Sequence, residues 1–404
     1  MFERLRQLPR PLAALYAGTI ATRLGTFVVP YLTIYLSASR GLSPAAIGRI
    51  VAAGGVGLLL GNLLGGQLAD RVGCKATLMA ALFTNAVGVA VLAGSLPSGA
   101  AYATALAVAL CGAGMYTPAA SALVAELTSE AIRPFAFTVQ YVAVNVGMGL
   151  GPLLGGLLAS SSFALLFVGD IATSAVCMGL LAFGLRPSKA RSTIQRPSAV
   201  STVRIWAQHP ALLAFGAGSI FVVAPLMGLE YAVPLLVGVT FQEPLVFVGV
   251  VYSINAACIL ALSFPIERAL QGRNEVGMMA LAALLWAAGL AILALGFSVG
   301  ALLACTVVWT VGEIIASIVV PTYIAARVGS SVKGRMLALQ DAVRSVSAIV
   351  CPLVLGAVWN AAGVGVVLVV LVVVPLIGLG LYTAWWRRGV RRRVPPTEGL
   401  ACSR

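Results

Sequence analysis

Apolar stretches of about 20 residues or more recur along almost the whole chain with only short breaks between them, and nothing else in the sequence limits the fold as strongly. A helix that crosses the hydrocarbon core of a bilayer needs about 20 mainly apolar residues, and every backbone N–H and C=O must be satisfied within the segment. Dividing the sequence at its polar and Gly/Pro-rich breaks gives twelve such segments, at roughly 11–36, 44–69, 76–95, 99–125, 134–159, 163–185, 210–239, 245–266, 275–296, 299–326, 336–358 and 363–386. The short alternating segments of a membrane β-barrel do not occur. The expected fold class is therefore an all-α integral membrane protein with twelve transmembrane helices. Composition agrees: 60% of the 404 residues are hydrophobic, 9% are charged, and the mean hydropathy is +1.02, which no water-soluble globular chain needs.

A formal net charge of +14 would point to nucleic acid in a soluble protein. Here the basic residues sit in short connections and tails, where they anchor against anionic lipid headgroups, and no nucleic-acid partner is expected. Of the 26 Lys and Arg residues, only Arg40 and Arg49 fall on the opposite side, in the first connection and the first turns of span two; Arg23 and Arg344 lie inside spans, and the others occupy the tails and even-numbered connections. The positive-inside rule then places both termini in the cytoplasm. The N-terminus has a basic start like that of a signal peptide, but its apolar run continues to about Leu36, so it reads as a first span that is kept. High Ala, Gly and Arg with only three lysines suits a bacterial chain of high coding GC content, hence a bacterial inner membrane. Seven cysteines, at 74, 111, 177, 258, 305, 351 and 402, contain no C-x-x-C pair, and neither a disulfide framework nor a metal site is expected.

The longest polar break, residues 186–208, divides the chain into a bundle of six spans (1–185), a cytoplasmic linker (186–209), a second bundle of six (210–388) and a basic cytoplasmic tail (389–404). The only histidine, His209, ends the linker and reads as an interfacial loop residue, with pH sensing as the alternative. The halves echo each other. Gly151-Pro152-Leu-Leu-Gly155-Gly156 in span five faces Cys351-Pro352-Leu-Val-Leu-Gly356 in span eleven, and Val29-Pro30-Tyr-Leu in span one faces Val233-Pro234-Leu-Leu in span seven. Such a six-plus-six pseudo-repeat builds a central site at the repeat interface.

Residues 61–75, GNLLGGQLADRVGCK, read as the small-residue end of one span followed by a tight polar turn. Gly61, Gly65 and Gly66 let another backbone come close, Asp70 can accept hydrogen bonds from a helix N-terminus, and Arg71 and Lys75 hold the turn on the positive side of the membrane. Together the pattern G-x-x-x-D-R-x-G-x-K at 66–75 and the pattern G-x-x-x-G-P-x-x-G-G at 147–156 resemble the major facilitator superfamily, specifically its drug/proton antiporter branch. In that family they lie between spans two and three and in span five, as they do here.

The resemblance implies two pseudo-symmetric six-helix bundles around a cavity open to one side at a time, and export of small compounds. It also implies an inner gate in which Asp70 docks on the N-terminus of span eleven when the cavity faces outward, steadied by Arg71. Gly66, Gly73 and Lys75 complete the motif, and Asp341 and Arg344, three apart on one face of span eleven, could join the gate. Gly147, Gly151, Pro152, Gly155 and Gly156 carry over as the packing seam of span five associated with exporters. Two departures matter. Position 74 is cysteine where the family usually has a basic residue, and the stretch Leu106-Ala-Val-Ala-Leu-Cys111-Gly112-Ala-Gly114 of span four lacks the arginine that drug antiporters often carry. Proton coupling is therefore not simply inherited from the family: Arg23 or Arg344 would have to substitute, or the coupling differs.

Few ionisable groups lie inside the spans, and a charge in hydrocarbon costs at least about 2.5–3.5 kcal/mol, so these should face a cavity or one another. Arg23 and Glu313 fall near the midplane, Asp170 and Glu230 in the outer half, and Asp341 and Arg344 in the cytoplasmic half of span eleven. Desolvation favours a protonated carboxyl and a nearby arginine favours the carboxylate, a combination that makes a proton-coupled switch. Glu313 is the first choice for the proton carrier, followed by Glu230 and Asp170. Arg23 is expected to line the cavity as counter-ion or as a site for an anionic substrate group, with a hydrogen bond to backbone carbonyls as the plain alternative. Trp385 and Trp386 before Arg387 and Arg388 read as an interfacial anchor.

The function expected is secondary transport by alternating access: proton-coupled export of small apolar or amphipathic compounds, by a monomer whose partners are the substrate, protons and the lipid bilayer. The alternative in the same fold is an importer of a small metabolite or a lipid flippase, with Arg23 contacting an anionic substrate. An enzyme is disfavoured by a single histidine and the lack of H-E-x-x-H and G-x-S-x-G, an ATP-driven pump by the lack of a G-x-x-x-x-G-K-[ST] loop, and a channel by the lack of a repeated pore loop. No cofactor is expected.

Overall fold

A computed structural model describes residues 8–25, 28–129, 132–185, 210–327 and 330–391. The linker with His209 and the tail beyond Arg391 lie outside the described residues. The elements are α1 (Arg10–Leu24), α2 (Val28–Ala38), α3 (Pro44–Val72), α4 (Cys74–Leu92), α5 (Gly99–Leu127), α6 (Arg133–Ser161), α7 (Phe163–Gly184), α8 (Pro210–Leu235) with a π-helical continuation (Leu236–Thr240), α9 (Val246–Leu270), α10 (Glu275–Gly296), α11 (Val299–Arg327) and α12 (Ser330–Arg391). Among the described residues there is no β-strand. Several helix starts are dictated locally: Ser43, Ser98, Ser162 and Asn274 each accept a hydrogen bond from a backbone N–H in the first turn that follows. Pro44 and Pro134 stand at the start of their helices, where a missing N–H costs nothing.

Ten helices among the described residues are long and apolar enough to cross a membrane, against the twelve expected. The difference has two physical sources. The first apolar run is divided after Leu24, and neither α1 nor α2, at 15 and 11 residues, reaches spanning length by itself. At the other end, α12 is two helices that meet at a kink at Gly363, whose φ of 79° and ψ of 175° no residue with a β-carbon adopts readily, and the two count as one among the ten. Its apolar part, 344–385, is 42 residues, roughly 63 Å of helix and about twice the hydrocarbon thickness. Large side chains such as Phe183, 95% exposed, and Leu295, 89% exposed, face outward, as a lipid-facing surface requires.

The helices pack in two groups, α1 to α7 and α8 to α12, which meet along two seams: α3 against α12 and α6 against α9. The two groups share one apolar core at a single end of the molecule, where Tyr31, Leu32, Leu36, Ile47 and Ile50 join Tyr231, Leu236, Val248 and Val251. At the opposite end Leu12, Leu15, Leu78, Val124 and Leu181 form a separate core belonging to the first group alone. The bundle interface is thus closed at the end that carries the 39–43 and 241–245 connections. A π-helical segment at the end of α8 and the positive φ of Gln242 shape the second of these.

Candidate functional site

The closed end is built from small residues and two tyrosines placed symmetrically. A β-carbon on Gly48 of α3 would overlap the Pro352 carbonyl oxygen of α12, and one on Gly249 of α9 would press on the Pro152 carbonyl oxygen and the Leu153 backbone of α6. Across one seam Tyr31 donates to the Pro152 carbonyl at 2.6 Å and reaches the Leu245 carbonyl at 3.5 Å. Across the other, Tyr231 donates to the Pro44 carbonyl at 2.7 Å. Gly156 lies beneath the Tyr31 hydroxyl and Gly356 beneath that of Tyr231. The Pro152/Gly156 and Pro352/Gly356 echo is therefore structural. The other expected echo differs: Tyr31 corresponds to Tyr231, not Pro30 to Pro234.

The span-five residues have two duties. Gly147 packs against the Arg23 side chain and the Ile20 carbonyl, and Gly151 against the carbonyls of Arg23 and Leu24. Gly149, whose carbonyl accepts from Ser253 at 2.8 Å, Pro152 and Gly156 face the second bundle. Gly155 is buried. The helix so joins the end of α1 to α9.

Below the closed end, a cavity of about 370 Å³ lies against the second bundle, with walls from Val222, Leu226, Trp286, Ala316, Val320 and Pro321 and charged groups from Glu313 and Arg344. Glu313 is half-buried; its Oε2 accepts a 2.8 Å hydrogen bond from Asn255 Nδ2, which also donates to Thr310 Oγ1 at 3.0 Å. Thr310 in turn donates to the Thr306 carbonyl at 2.6 Å, so the amide is fixed from behind. Glu313, Glu230 and Arg344 are within one another's electrostatic range, and Tyr252 feels both Glu230 and Tyr31. Among the described residues neither Glu230 nor Glu313 forms an ion pair with Arg344, which is exposed to the cavity. Glu313 and Arg344 thus face a space with mainly apolar walls, Glu230 lies within their electrostatic range, and Glu230 directly precedes the latch residue Tyr231.

Arg23 does not belong to this cavity. It lines a second one, of about 50 Å³, inside the first bundle, together with Asp170, Asn85 and Tyr116. That volume admits water but no substrate of the size the larger cavity accepts. Its Nη2 donates to Thr117 Oγ1 at 3.2 Å.

At the open end, Gly66 is buried and Asp70 half-buried in the last turns of α3, and Arg71 is exposed. Gly73 makes the turn into α4 with φ 91° and ψ 156°, a conformation that calls for glycine. Lys75 was expected in the gate, yet its Nζ donates to the carbonyls of Ala182, at 2.7 Å, and Leu185 at the end of α7. A cation there satisfies carbonyls that a helix C-terminus leaves bare. Cys74, where a basic residue was expected, donates instead to Glu126 Oε2 at 3.5 Å. The Asp341 side chain lies outside the described residues. Sequence reasoning singled out neither Asn255 and Thr310 nor the hydroxyl groups of Tyr31, Tyr231 and Tyr252. The one available signal was a polar residue on the helix paired with a span that carries an acid.

The sequence matches the family model described as Major Facilitator Superfamily over residues 15–352. It is 25% identical over 331 residues to an uncharacterized MFS-type transporter, YqjV, of Bacillus subtilis (strain 168), a match covering 78% of each chain. It is 31% identical over 162 residues to a Na(+), Li(+), K(+)/H(+) antiporter of Planococcus maritimus, covering 38% of this chain and 37% of that one. Among solved structures, the fold is similar to that of the nucleoside transporter NupG, with a TM-score of 0.75 at 13% identity, over 94% of this chain and 99% of that one.

Proposed function

The chain belongs to the Major Facilitator Superfamily and is a multi-pass membrane protein of a secondary-transporter family; on that premise we propose that it is a proton-coupled antiporter exporting small apolar or amphipathic compounds. Counted as a transporter of this fold, α1 and α2 form one span and the two limbs of α12 form two, which makes twelve spans in two bundles. With the basic connections on the cytoplasmic side, in a bacterial inner membrane, the latched end faces away from the cytoplasm and the 370 Å³ cavity opens toward it.

The observation that carries the reading is the charge set at and beside the cavity: Glu313 and Arg344 on its wall, with Glu230 within their electrostatic range. With both carboxylates ionised these groups sum to one negative charge, and enclosing an uncompensated charge costs at least about 2.5–3.5 kcal/mol. One proton, or one monovalent cationic substrate, cancels it. The carrier can therefore reorient when loaded with either and is held back when empty, which is obligatory exchange. Glu313 is the proton carrier of the two, because it lines the cavity, through which water can bring and remove the proton. The apolar walls take the rest of the substrate, and the Pro- and Gly-rich seam of span five supports export.

Arg344 supports a second reading. Exposed to the cavity, it can bind the anionic group of a small organic acid, with both carboxyls protonated, and transport then becomes proton symport. The test is transport in everted vesicles with an imposed pH gradient, using cationic, neutral and anionic dyes. The proposal expects gradient-driven uptake of cationic or neutral dyes, lost in Glu313→Gln while dye counterflow persists. Uptake of all dyes independent of the gradient would overturn proton coupling, and uptake of anionic dyes alone, driven only when the gradient is reversed to acid outside, would replace export by the Arg344 reading.

A further inference from the structure

Asp170 stands apart from that machinery. It is 7% exposed and lines the 50 Å³ cavity enclosed by α1, α2, α4, α5 and α7. The side chains around it are engaged elsewhere. Asn85 donates to the Ala109 carbonyl at 3.2 Å and accepts from Ser174 Oγ at 3.3 Å, and the Tyr116 hydroxyl pairs with Thr19 at 3.0 Å. Among the described residues no hydrogen bond or ion pair reaches the Asp170 carboxyl oxygens; the bond from Thr173 at 2.9 Å goes to its backbone carbonyl. Arg23 lines the same cavity with its Nε buried and unpaired, and still makes no ion pair with Asp170. An ionised carboxylate enclosed without partners is costly, whereas a neutral carboxyl is tolerated.

Other titratable groups on the packed helices are directed elsewhere. Tyr16 of α1 donates to the Ala136 carbonyl, and Tyr31 and Tyr35 of α2 bond at the closed end to Pro152 and Arg40. Lys75 of α4 binds the far end of α7, Arg133 of α6 binds carbonyls at the end of α5, and Tyr141 of α6 is exposed. Cys177, on α7 itself, meets the Tyr116 hydroxyl at 3.9 Å. Arg23 and Tyr116 alone among the charged and titratable groups share the cavity with Asp170.

We propose that Asp170 is a proton-binding site of the first bundle, and that Arg23 takes the place of the proton when the carboxyl ionises. In the conformation seen here the O–H bond is intact. When the end of α1 shifts, that bond breaks, the proton passes to water in the cavity, and the carboxylate pairs with the guanidinium; the reverse shift separates the pair and a proton from water rebinds. Two contacts tie this exchange to the transport cycle. Gly25, next to the end of α1, touches Thr173, three residues beyond Asp170 on α7. Gly147 and Gly151 press on Arg23 and Leu24 from α6, whose other side forms the seam with α9, so opening that seam moves the helix that holds Arg23.

The site is read without reference to the substrate, and its test needs none. The chain has only three aspartates, at 70, 170 and 341. Isotope-edited infrared spectra of wild-type protein labelled with ¹³C at aspartate carboxyls should show a protonated-carboxyl C=O band at neutral pH. The band should be lost in Asp170→Asn, move to the glutamate label in Asp170→Glu, and persist in Glu313→Gln even if the proposed antiport itself fails. In Arg23→Gln it should persist to higher pH than in wild type, because the carboxylate has lost its cation. No aspartate band in the wild type, or a band unchanged in Asp170→Glu, would overturn the proposal. Loss of the band on adding Na⁺ at constant pH would replace the proton by a metal ion, and an unchanged pH course in Arg23→Gln would remove the arginine from the exchange.

Discussion

At the scale of single residues, two hydroxyl groups decide which end of the molecule is shut. Tyr31 and Tyr231 each donate to a backbone carbonyl across a seam, and each bond contributes about 0.5–1.5 kcal/mol net. Tyr31→Phe and Tyr231→Phe keep the rings and remove only the donors. Either change should raise the population with the latched end open by about fivefold, for about 1 kcal/mol, and the double change by more. Spin-label distances across that end check this; an unaltered distance distribution in the double variant would leave the glycine packing as the sole clamp. The tyrosines were barely legible in the sequence, because their partners are carbonyl groups of segments that are 121 and 187 residues away. A carbonyl has no residue type to read. Glu313 was legible for the opposite reason, since a lone acid in an apolar run demands an explanation, whereas its partner Asn255 looks like any neutral polar residue in a span.

At the scale of helices, apolar length and capping residues carried most of the information. Ser43, Ser98, Ser162 and Asn274 mark helix starts through a local hydrogen bond, so they act wherever the chain lies in space. The break after Leu24 was not legible, since it depends on packing rather than on composition, whereas the break at Gly363 falls where the spans 336–358 and 363–386 were divided. Helix contacts also give Lys75 a partner that the motif did not name: the bare carbonyls at the end of α7 are what the side chain reaches. The seams themselves make a prediction. Gly48→Val places two methyl groups where the Pro352 carbonyl stands, and Gly249→Val does the same toward Pro152. Overpacking of this kind costs typically about 1–3 kcal/mol, and the cost falls only on the conformation in which the seam is closed. Each variant should insert and fold, show the latched end mainly open by spin-label distance, and transport poorly because one half of the cycle is disfavoured. A normal closed-end distance in Gly48→Val would mean that α3 and α12 can slide past each other at no cost.

For the whole molecule, closure at one end must be matched by closure at the other, and the 66–75 turn lies at the end that is open here. Among the described residues no buried apolar cluster at that end joins the two bundles, so a different kind of contact has to hold them when the latched end lets go. Asp70 has the required position, in the last turn of α3, the same helix that forms the latched seam with α12 through Gly48 and Gly55. A rigid α3 rocking on α12 about that seam would lower its Asp70 end toward the start of α12, where a helix N-terminus offers unbonded N–H groups to a carboxylate. A charge-assisted hydrogen bond of this type contributes about 1.5–3 kcal/mol, so removing the charge should cost roughly tenfold or more in the population closed at that end. Asp70→Asn is therefore expected to insert normally, to keep the latched-end distances of the wild type, and to transport at about a tenth of the wild-type rate or below. The decisive comparison is with Tyr231→Phe: one variant weakens the closed state at each end, so combining them should restore the balance between conformations and recover part of the lost turnover. Additive losses in the double variant would show that Asp70 serves the turn itself and not the gate.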